Sequence, residues 1–250
     1  MHLSKRLQMV ADCVSPNSLV ADVGCDHAYI SIYLVENEIA KRSVALDINE
    51  GPLQKAMENV KDANLSDRIS IRLSNGLEKL CPGEANSIVI AGMGGILMMQ
   101  ILSRGLDCVN AANELILQPQ SEAEKVREYL HKLNFSICEE NMCIDDGKYY
   151  VVIHAKKEEE VSIVKEEEVS IVNKEEVSVV KRTYHKYGEL LLKERHPILK
   201  EYLLKEIQKA KLIQASLLEH PSEKNNIRYE EMIEELKMLE YGLSFYQSLS

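Results

Sequence analysis

The chain has 250 residues, 45% hydrophobic and 28% charged, with a formal net charge of −10, no Trp and two Phe. That length holds one large α/β domain or a medium domain with an appendage, in a soluble globular chain whose core must be Leu, Ile, Val, Met and Tyr. The acidic balance excludes loose charge-driven binding to nucleic acid, and no apolar run nears the roughly 20 residues of a bilayer span.

The first residues lead into an amphipathic pattern, Leu7, Val10, Ala11 and Val14, and not into the apolar stretch of a signal peptide. Residues 18–24 read as a short buried strand closing on Gly24, and residues 43–47 as a second closing on Asp47. Residues 69–73 alternate like a strand and stop at Ser74-Asn75-Gly76. Residues 87–91 stop at Gly92-Met93-Gly94-Gly95, and residues 114–117 at Gln118-Pro119. Helical spacings lie between them, for example Leu53, Ala56, Met57 and Val60. Strands alternating with helices predict right-handed βαβ units and a parallel sheet covered on both faces. Residues 135–143 and 148–155 then flank Asp145-Asp146-Gly147, a good hairpin turn. An α/β sheet of this kind, finished by an antiparallel hairpin, is the arrangement of a Rossmann-like class I methyltransferase.

Residues 157–180 repeat Lys-Glu-Glu-Glu-Val-Ser-Ile-Val twice and end in Asn-Lys-Glu-Glu-Val-Ser-Val-Val. An eight-residue period is too short for a solenoid of helix pairs, so an acidic, weakly ordered linker is expected, with a surface β-ribbon as the alternative. Beyond it, Leu192, Leu199, Leu203, Ile207, Ala210 and Leu217 fall at helical spacings, as do Tyr229, Met232, Leu236, Leu239 and Leu243. His220-Pro221-Ser222 breaks the two series, which predicts a small C-terminal helical hairpin, coiled-coil-like. The expected division is a cofactor-binding domain over 1–156, a linker over 157–180 and a helical domain over 181–250. Within the last, residues 181–211 hold nine Lys or Arg against four Glu, the clear basic patch of an acidic chain. It is either a solvated helix face or a phosphate-binding one.

A cofactor in a doubly wound sheet sits at the carboxyl ends of the strands, where strand order reverses. Gly24 lets the chain turn tightly there and a ligand approach the backbone. Asp22 can accept from a cationic amino group, Asp47 can take both hydroxyls of a ribose with Ile48 beside it, and Asn75-Gly76 can read an adenine edge. Ala91, Gly92 and Met93 end the fourth strand in the same region. The dinucleotide fingerprint G-x-G-x-x-G is absent: one of its three glycines is present, and Asp26 stands where a pyrophosphate would need to be. S-adenosylmethionine carries no phosphate and two positive centres, so Asp22 and Asp26 suit it and oppose NAD. His27 is a candidate base or a hydrogen-bonding residue at a helix start; Tyr29 either stacks on a base or packs. Gly94 and Gly95 present backbone to a flat base or make a tight turn. Six scattered cysteines, with no C-x-x-C pair, fit a reducing cytoplasm and neither a disulfide framework nor a metal site.

These segments together resemble the bacterial tRNA (adenine-22-N1)-methyltransferase family. The resemblance rests on Leu3-Ser4-Lys5-Arg6-Leu7, Gly24-Cys25-Asp26-His27-Ala28-Tyr29, Ser74-Asn75-Gly76-Leu77, Gly92-Met93-Gly94-Gly95, Leu117-Gln118-Pro119 and Asp146-Gly147-Lys148-Tyr149-Tyr150. It covers residues 1–155 well and resumes loosely over 184–248, and the octad repeat looks like an insertion. It implies methylation of N1 of an adenine in the D-arm region of tRNA, with S-adenosylmethionine as donor. On that reading Asp26, helped by His27 or Tyr29, accepts from the adenine amine, while Gln118, Pro119 and the Gly92–Gly95 loop shape the pocket. Lys5, Arg6, Lys193 and Arg195 would hold phosphates. The partner is tRNA, with no membrane and no metal, and the enzyme a monomer or weak dimer. The competing readings are methylation of another RNA base or a small molecule, and a non-catalytic RNA-binding protein.

Overall fold

The computed structural model describes residues 2–158, 174–219 and 222–247. The chain divides into two compact units, Met1–Glu160 and Val161–Ser250.

The first unit is a seven-stranded sheet between two layers of helices. Its strands are β1 (Ser18–Val23), β2 (Ala40–Asp47), β3 (Ile69–Leu73), β4 (Ser87–Gly94), β5 (Glu114–Ser121), β6 (Phe135–Asp145) and β7 (Lys148–Lys157). Its helices are α1 (Lys5–Asp12), α2 (Tyr29–Glu36), α3 (Glu50–Asp62), α4 (Gly95–Arg104), α5 (Leu106–Ala111) and α6 (Ala123–Lys132). The strand order is β3-β2-β1-β4-β5-β7-β6, parallel through the first five, with β7 antiparallel to both β5 and β6.

The period-two alternation of the strands divides the core. Ala21, Val23, Ile88, Ile90, Leu115 and Leu117 face Met98 and Leu102 of α4 and Val126 and Leu130 of α6. Val20, Ala45, Val89 and Ile116 face Val10 of α1, Leu34 of α2 and Val60 of α3. Each such Val, Leu, Ile or Met side chain contributes about 1.5–3 kcal/mol by leaving water, so both faces of the strands must be apolar, as the runs over 88–90 and 115–117 are. The hairpin closes where expected: Asp145 pairs with Lys148, and Asp146 (φ 48°) and Gly147 (φ 72°) make the two-residue left-handed turn between them.

Two strands of the parallel sheet extend past their expected ends. β4 continues through Gly94 and β5 through Ser121, because Ala91, Met93 and Gly94 find partners in Gln118, Pro119 and Ser121. The register skips Gly92, which is the extra residue of a bulge.

The second unit contains α7 (Lys174–Tyr187), α8 (Glu189–Lys193), α9 (Pro197–Glu219) and α10 (Glu223–Ser244). α9 and α10 form the expected antiparallel pair, burying Leu199, Leu203, Ile207 and Ala210 on one helix and Met232, Leu236 and Leu239 on the other. The Tyr246 hydroxyl donates to the His196 carbonyl at 2.9 Å, tying the end of this pair to its beginning.

Two helices precede the pair, which corrects the single seam expected from Leu192 onward. Leu192 belongs to α8; the chain turns at Arg195 (φ 55°) and restarts at Pro197, whose fixed φ and missing N–H suit a first helical position. Residues 174–180, expected as linker or ribbon, are the first half of α7. Its Thr183 and Tyr187 are buried, and the Thr183 hydroxyl donates to the Val179 carbonyl at 2.8 Å. The rest of the octad repeat over 159–173, and His220 and Pro221 of the expected break, lie outside the described residues. Among the described residues no helix is long and apolar enough to cross a membrane.

Candidate active site

The strand order reverses between β1 and β4, and there the carboxyl ends of β1, β2, β3 and β4 open on a cleft of about 470 Å³. The β1 strand delivers Asp22 and Gly24 to its wall, β2 delivers Asp47, the turn after β3 delivers Asn75 and Gly76, and β4 delivers Ala91, Gly92 and Met93. Asp26, Tyr29 and Ile48 join them from the connecting loops and the start of α2.

Gly24 is favoured by its left-handed backbone, and any side chain there would have to displace the flexible end of Met93. The Gly24 φ is +72°, and a Cβ added there would lie 2.0 Å from the Met93 methyl carbon. Its N–H and that of Cys25 both donate to the Leu46 carbonyl, at 2.7 and 3.0 Å, so the turn is latched to the end of β2. The next residues continue it in left-handed backbone, Asp26 at φ 52° and Ala28 at φ 59°. An acid tolerates that conformation better than most side chains, and strain of this kind collects at functional sites.

Asp47 organises the floor. One carboxylate oxygen accepts from the Asp26 N–H at 3.2 Å; the other accepts from the Asn49 N–H at 2.9 Å and from its side-chain amide at 3.3 Å. Asp22 is buried, and one of its oxygens accepts from the Ser31 hydroxyl at 2.7 Å and the Ser31 N–H at 3.3 Å. Burial pushes the Asp22 carboxyl up to about 6 from 3.8, against the opposing pull of those two hydrogen bonds. It therefore holds its proton more tightly than an ordinary carboxyl, and any cation placed against it would favour the ionised form.

All nine residues expected to hold a cofactor line the cleft: Asp22, Gly24, Asp47, Ile48, Asn75, Gly76, Ala91, Gly92 and Met93. The Asn75 amide nitrogen donates to Glu78 at 2.9 Å. Of the three candidate catalytic residues, Asp26 and Tyr29 line the cleft, while the His27 ring stands beside them. Its Nε2 is 3.6 Å from the Asp26 carboxylate and its plane lies edge-on to Tyr29 at 5.5 Å.

The expected substrate residues separate. Arg6 lines the cleft, but Lys5, Gly94, Gly95, Gln118 and Pro119 do not. Gln118 and Pro119 are buried. Gly95 is a packing residue: a Cβ there would come within 2.7 Å of the Ser121 carbonyl and 2.9 Å of Val126. Lys193 and Arg195 are exposed in the second unit, where Lys193 pairs with Glu189 at 2.6 Å. The cleft also takes Leu7, Cys25, Asn49, Ser74, Leu97 and Gln120, which the strand-end argument passed over. Asn49 and Ser74 adjoin expected strand ends and were within its reach. Leu7, Leu97 and Gln120 come from elements whose approach to the cleft no local pattern announces. Among the described residues no group of three or more His, Cys, Asp or Glu is placed to hold a metal ion.

Known proteins match this chain along its length. A methyltransferase-domain family matches residues 3–153. The tRNA (adenine(22)-N(1))-methyltransferase of Bacillus subtilis is 41% identical over 156 residues, which are 62% of this chain and 66% of that protein. The crystal structure of the Bacillus subtilis m1A22 tRNA methyltransferase TrmK superposes with a TM-score of 0.80 at 30% identity, covering 97% of this chain and 99% of that one. Mycoplasma capricolum TrmK, solved with the cofactor product S-adenosyl-homocysteine, superposes with a TM-score of 0.79 at 26% identity, covering 99% and 100%.

Proposed function

The chain belongs to the bacterial tRNA (adenine(22)-N1)-methyltransferase family, and on that premise we propose that it methylates N1 of adenine 22 in tRNA with S-adenosylmethionine as donor. The observation that carries this reading is the trio of carboxylates, Asp22, Asp26 and Asp47, around a left-handed glycine turn. A pyrophosphate in that ring meets like charge, at a cost on the order of 1–4 kcal/mol for each pair at about 4 Å. A sulfonium and an ammonium meet opposite charge.

S-adenosylmethionine supplies an electrophilic methyl group on sulfur. On this reading Asp22 takes the amino end of the donor, Asp47 the ribose hydroxyls and the exposed Ile48 a face of the adenine, and all three line the cleft. The attacking N1 already holds a lone pair, so the protein need not remove a proton before the bond forms. Alignment, and stabilisation of the positive charge that grows on the base, are what it must provide. Asp26 accepts from the exocyclic amine of the target, with His27 setting its carboxylate and Tyr29 stacking beside it.

Adenine 22 lies within the folded tRNA, so it is extruded or taken from a loosened molecule. Lys5, Lys193 and Arg195 hold phosphates outside the cleft. Residues 1–156 are the methyl-transferring domain and 181–250 the tRNA-binding one, acting in the cytoplasm.

Unmodified tRNA incubated with labelled donor, followed by nucleoside mapping, is expected to yield 1-methyladenosine at position 22. No transfer to tRNA, or transfer to another base, overturns the reading. Asp26→Ala is expected to slow the transfer step at saturating donor at least about tenfold, the scale of one lost transition-state hydrogen bond, beside the loss of donor affinity that removing its charge brings. Full turnover in that variant removes Asp26 from the role.

The Asp22 carboxyl also sets a pH dependence. Its value in the folded protein is raised, so its contribution to stability is fully present below about 3.8 and lost as pH rises through about 6. A bound ammonium needs the ionised form, so donor affinity has the opposite trend. Calorimetric titration is expected to show affinity about tenfold weaker at pH 5 than at pH 7.5, with Asp22→Asn weaker throughout and flat over that window. An unchanged pH dependence in Asp22→Asn assigns the effect to another group.

A further inference from the structure

Arg6 was expected to hold a phosphate, and its surroundings give it different work. Among the described residues, its guanidinium makes one hydrogen bond, from Nη1 to the Gln118 side-chain oxygen at 2.9 Å. Its Cζ sits 5.6 Å from the centre of the Tyr150 ring, and its backbone N–H donates to Asp145 at 3.1 Å. Helix α1 is thereby fastened to the β6–β7 hairpin, and the guanidinium is turned into the cleft wall.

Gln118 is fully buried. Its side-chain oxygen accepts twice, from Arg6 and from the Gly92 N–H at 3.1 Å, while its nitrogen donates to the Pro119 carbonyl at 3.2 Å. The reversed amide would set its two N–H donors against two other donors, so this orientation is dictated by chemistry. Gly92 is the bulge residue that the β4–β5 register skips, at φ +78°, and Gln118 replaces the ladder partner its N–H lacks. Bulges beside active sites re-aim the chain, and this one sets where Ala91, Gly92 and Met93 stand in the cleft.

We propose that Arg6 is a positioning residue for methyl transfer, acting through Gln118 to pin the Gly92 bulge that forms the wall for the target base. This rests on the methyltransferase reading above. Arg6 acts on the speed of the transfer step and not on the grip on tRNA. A phosphate clamp does the reverse: its loss weakens tRNA binding and lowers the salt slope by about one, with the saturated rate intact.

The test is single-turnover methylation of tRNA at saturating donor and tRNA, with donor and tRNA affinities measured alongside, in wild type, Arg6→Ala, Gln118→Leu and the double variant. The expected result for Arg6→Ala is a saturated rate lower by about 30-fold or more, the scale of a small misplacement of reacting groups. The tRNA affinity and its salt slope stay within about twofold of wild type, since Arg6 meets Gln118 and not a phosphate, while donor affinity falls by less than the rate because Ala91, Gly92 and Met93 also line the donor's part of the cleft. Free guanidinium at tens of millimolar restores part of the Arg6→Ala rate, and the double variant is no slower than the slower single one, because both cut one linkage.

A tRNA affinity that falls with the salt slope while the saturated rate holds makes Arg6 a phosphate ligand and overturns the proposal, as do additive losses in the double variant. Should Arg6→Ala or Gln118→Leu fail to fold, Arg6→Lys carries the test, and wild-type speed in it overturns the proposal. A wild-type enzyme that methylates no tRNA overturns the functional reading itself, while a competent wild type with an unimpaired Arg6→Ala overturns this inference alone.

Discussion

Asp47→Ala is expected to weaken donor binding by about 100-fold or more. An ionised acceptor is worth about 1.5–3 kcal/mol for each hydrogen bond it makes, and a carboxylate spanning a ribose diol makes two. The variant also loses the acceptor for the Asp26 and Asn49 N–H groups, so the loops after β1 and β2 lose the group that fixes their spacing. Asp47→Asn keeps the shape and one acceptor, but must turn an N–H₂ toward a backbone donor. Its affinity should fall between wild type and Asp47→Ala. Titration calorimetry measures both, and an Asp47→Ala affinity within about threefold of wild type would exclude any part for this carboxylate in donor binding.

The other large effect lies at the opposite end of the sheet and concerns stability. Glu114 opens β5 and is buried, with one oxygen accepting from the Ser15 N–H at 3.0 Å and the other from the Ser15 hydroxyl at 2.6 Å. The His154 ring of β7 lies 2.9 Å from the second oxygen. Burial alone would raise the Glu114 carboxyl, but His154 and Ser15 outweigh it and bring the group from 4.5 to about 2.

At roughly 1.4 kcal/mol per tenfold change in acidity, this ionised group supports the first unit by about 3 kcal/mol. Because the folded value is depressed, the support is present above about 4.5 and lost as pH falls toward 2. Glu114→Gln should therefore destabilise the first unit by about 3 kcal/mol at neutral pH, with the gap to wild type closing below pH 4.5. Hydrogen exchange at amides of β1 and β5 reads this without involving the second unit. A gap that stays constant down to pH 3 assigns the loss to packing and not to charge.

Most of the fold was legible because its signals are local. The strands β1 to β4 are short runs that stop at or beside Gly, Asp or Asn, and the residues at those four ends line the cleft. Asp26 carried the cofactor argument from sequence because charge complementarity needs no coordinates once strand ends are known to converge. The boundary of the fourth strand was not legible. Three glycines in four residues read as a loop, but Met93 and Gly94 pair with β5, and Gly92 is left as a bulge held by a side chain. The C-terminal helices failed at one point for a similar reason: an apolar series can keep its spacing across a break, and the left-handed Arg195 is invisible to periodicity.

The role of Arg6 shows where the division falls. Type and spacing alone settled which strand ends would meet and what charge they would bring, since hydrophobic alternation and the topology of parallel βαβ units leave few other arrangements. A surface-like arginine in an N-terminal helix carries no local sign of its partner 112 residues away. What Arg6, Gln118 and Gly92 do to one another is a matter of buried hydrogen-bond satisfaction, and that is settled when α1, β4 and β5 close around the same few polar atoms.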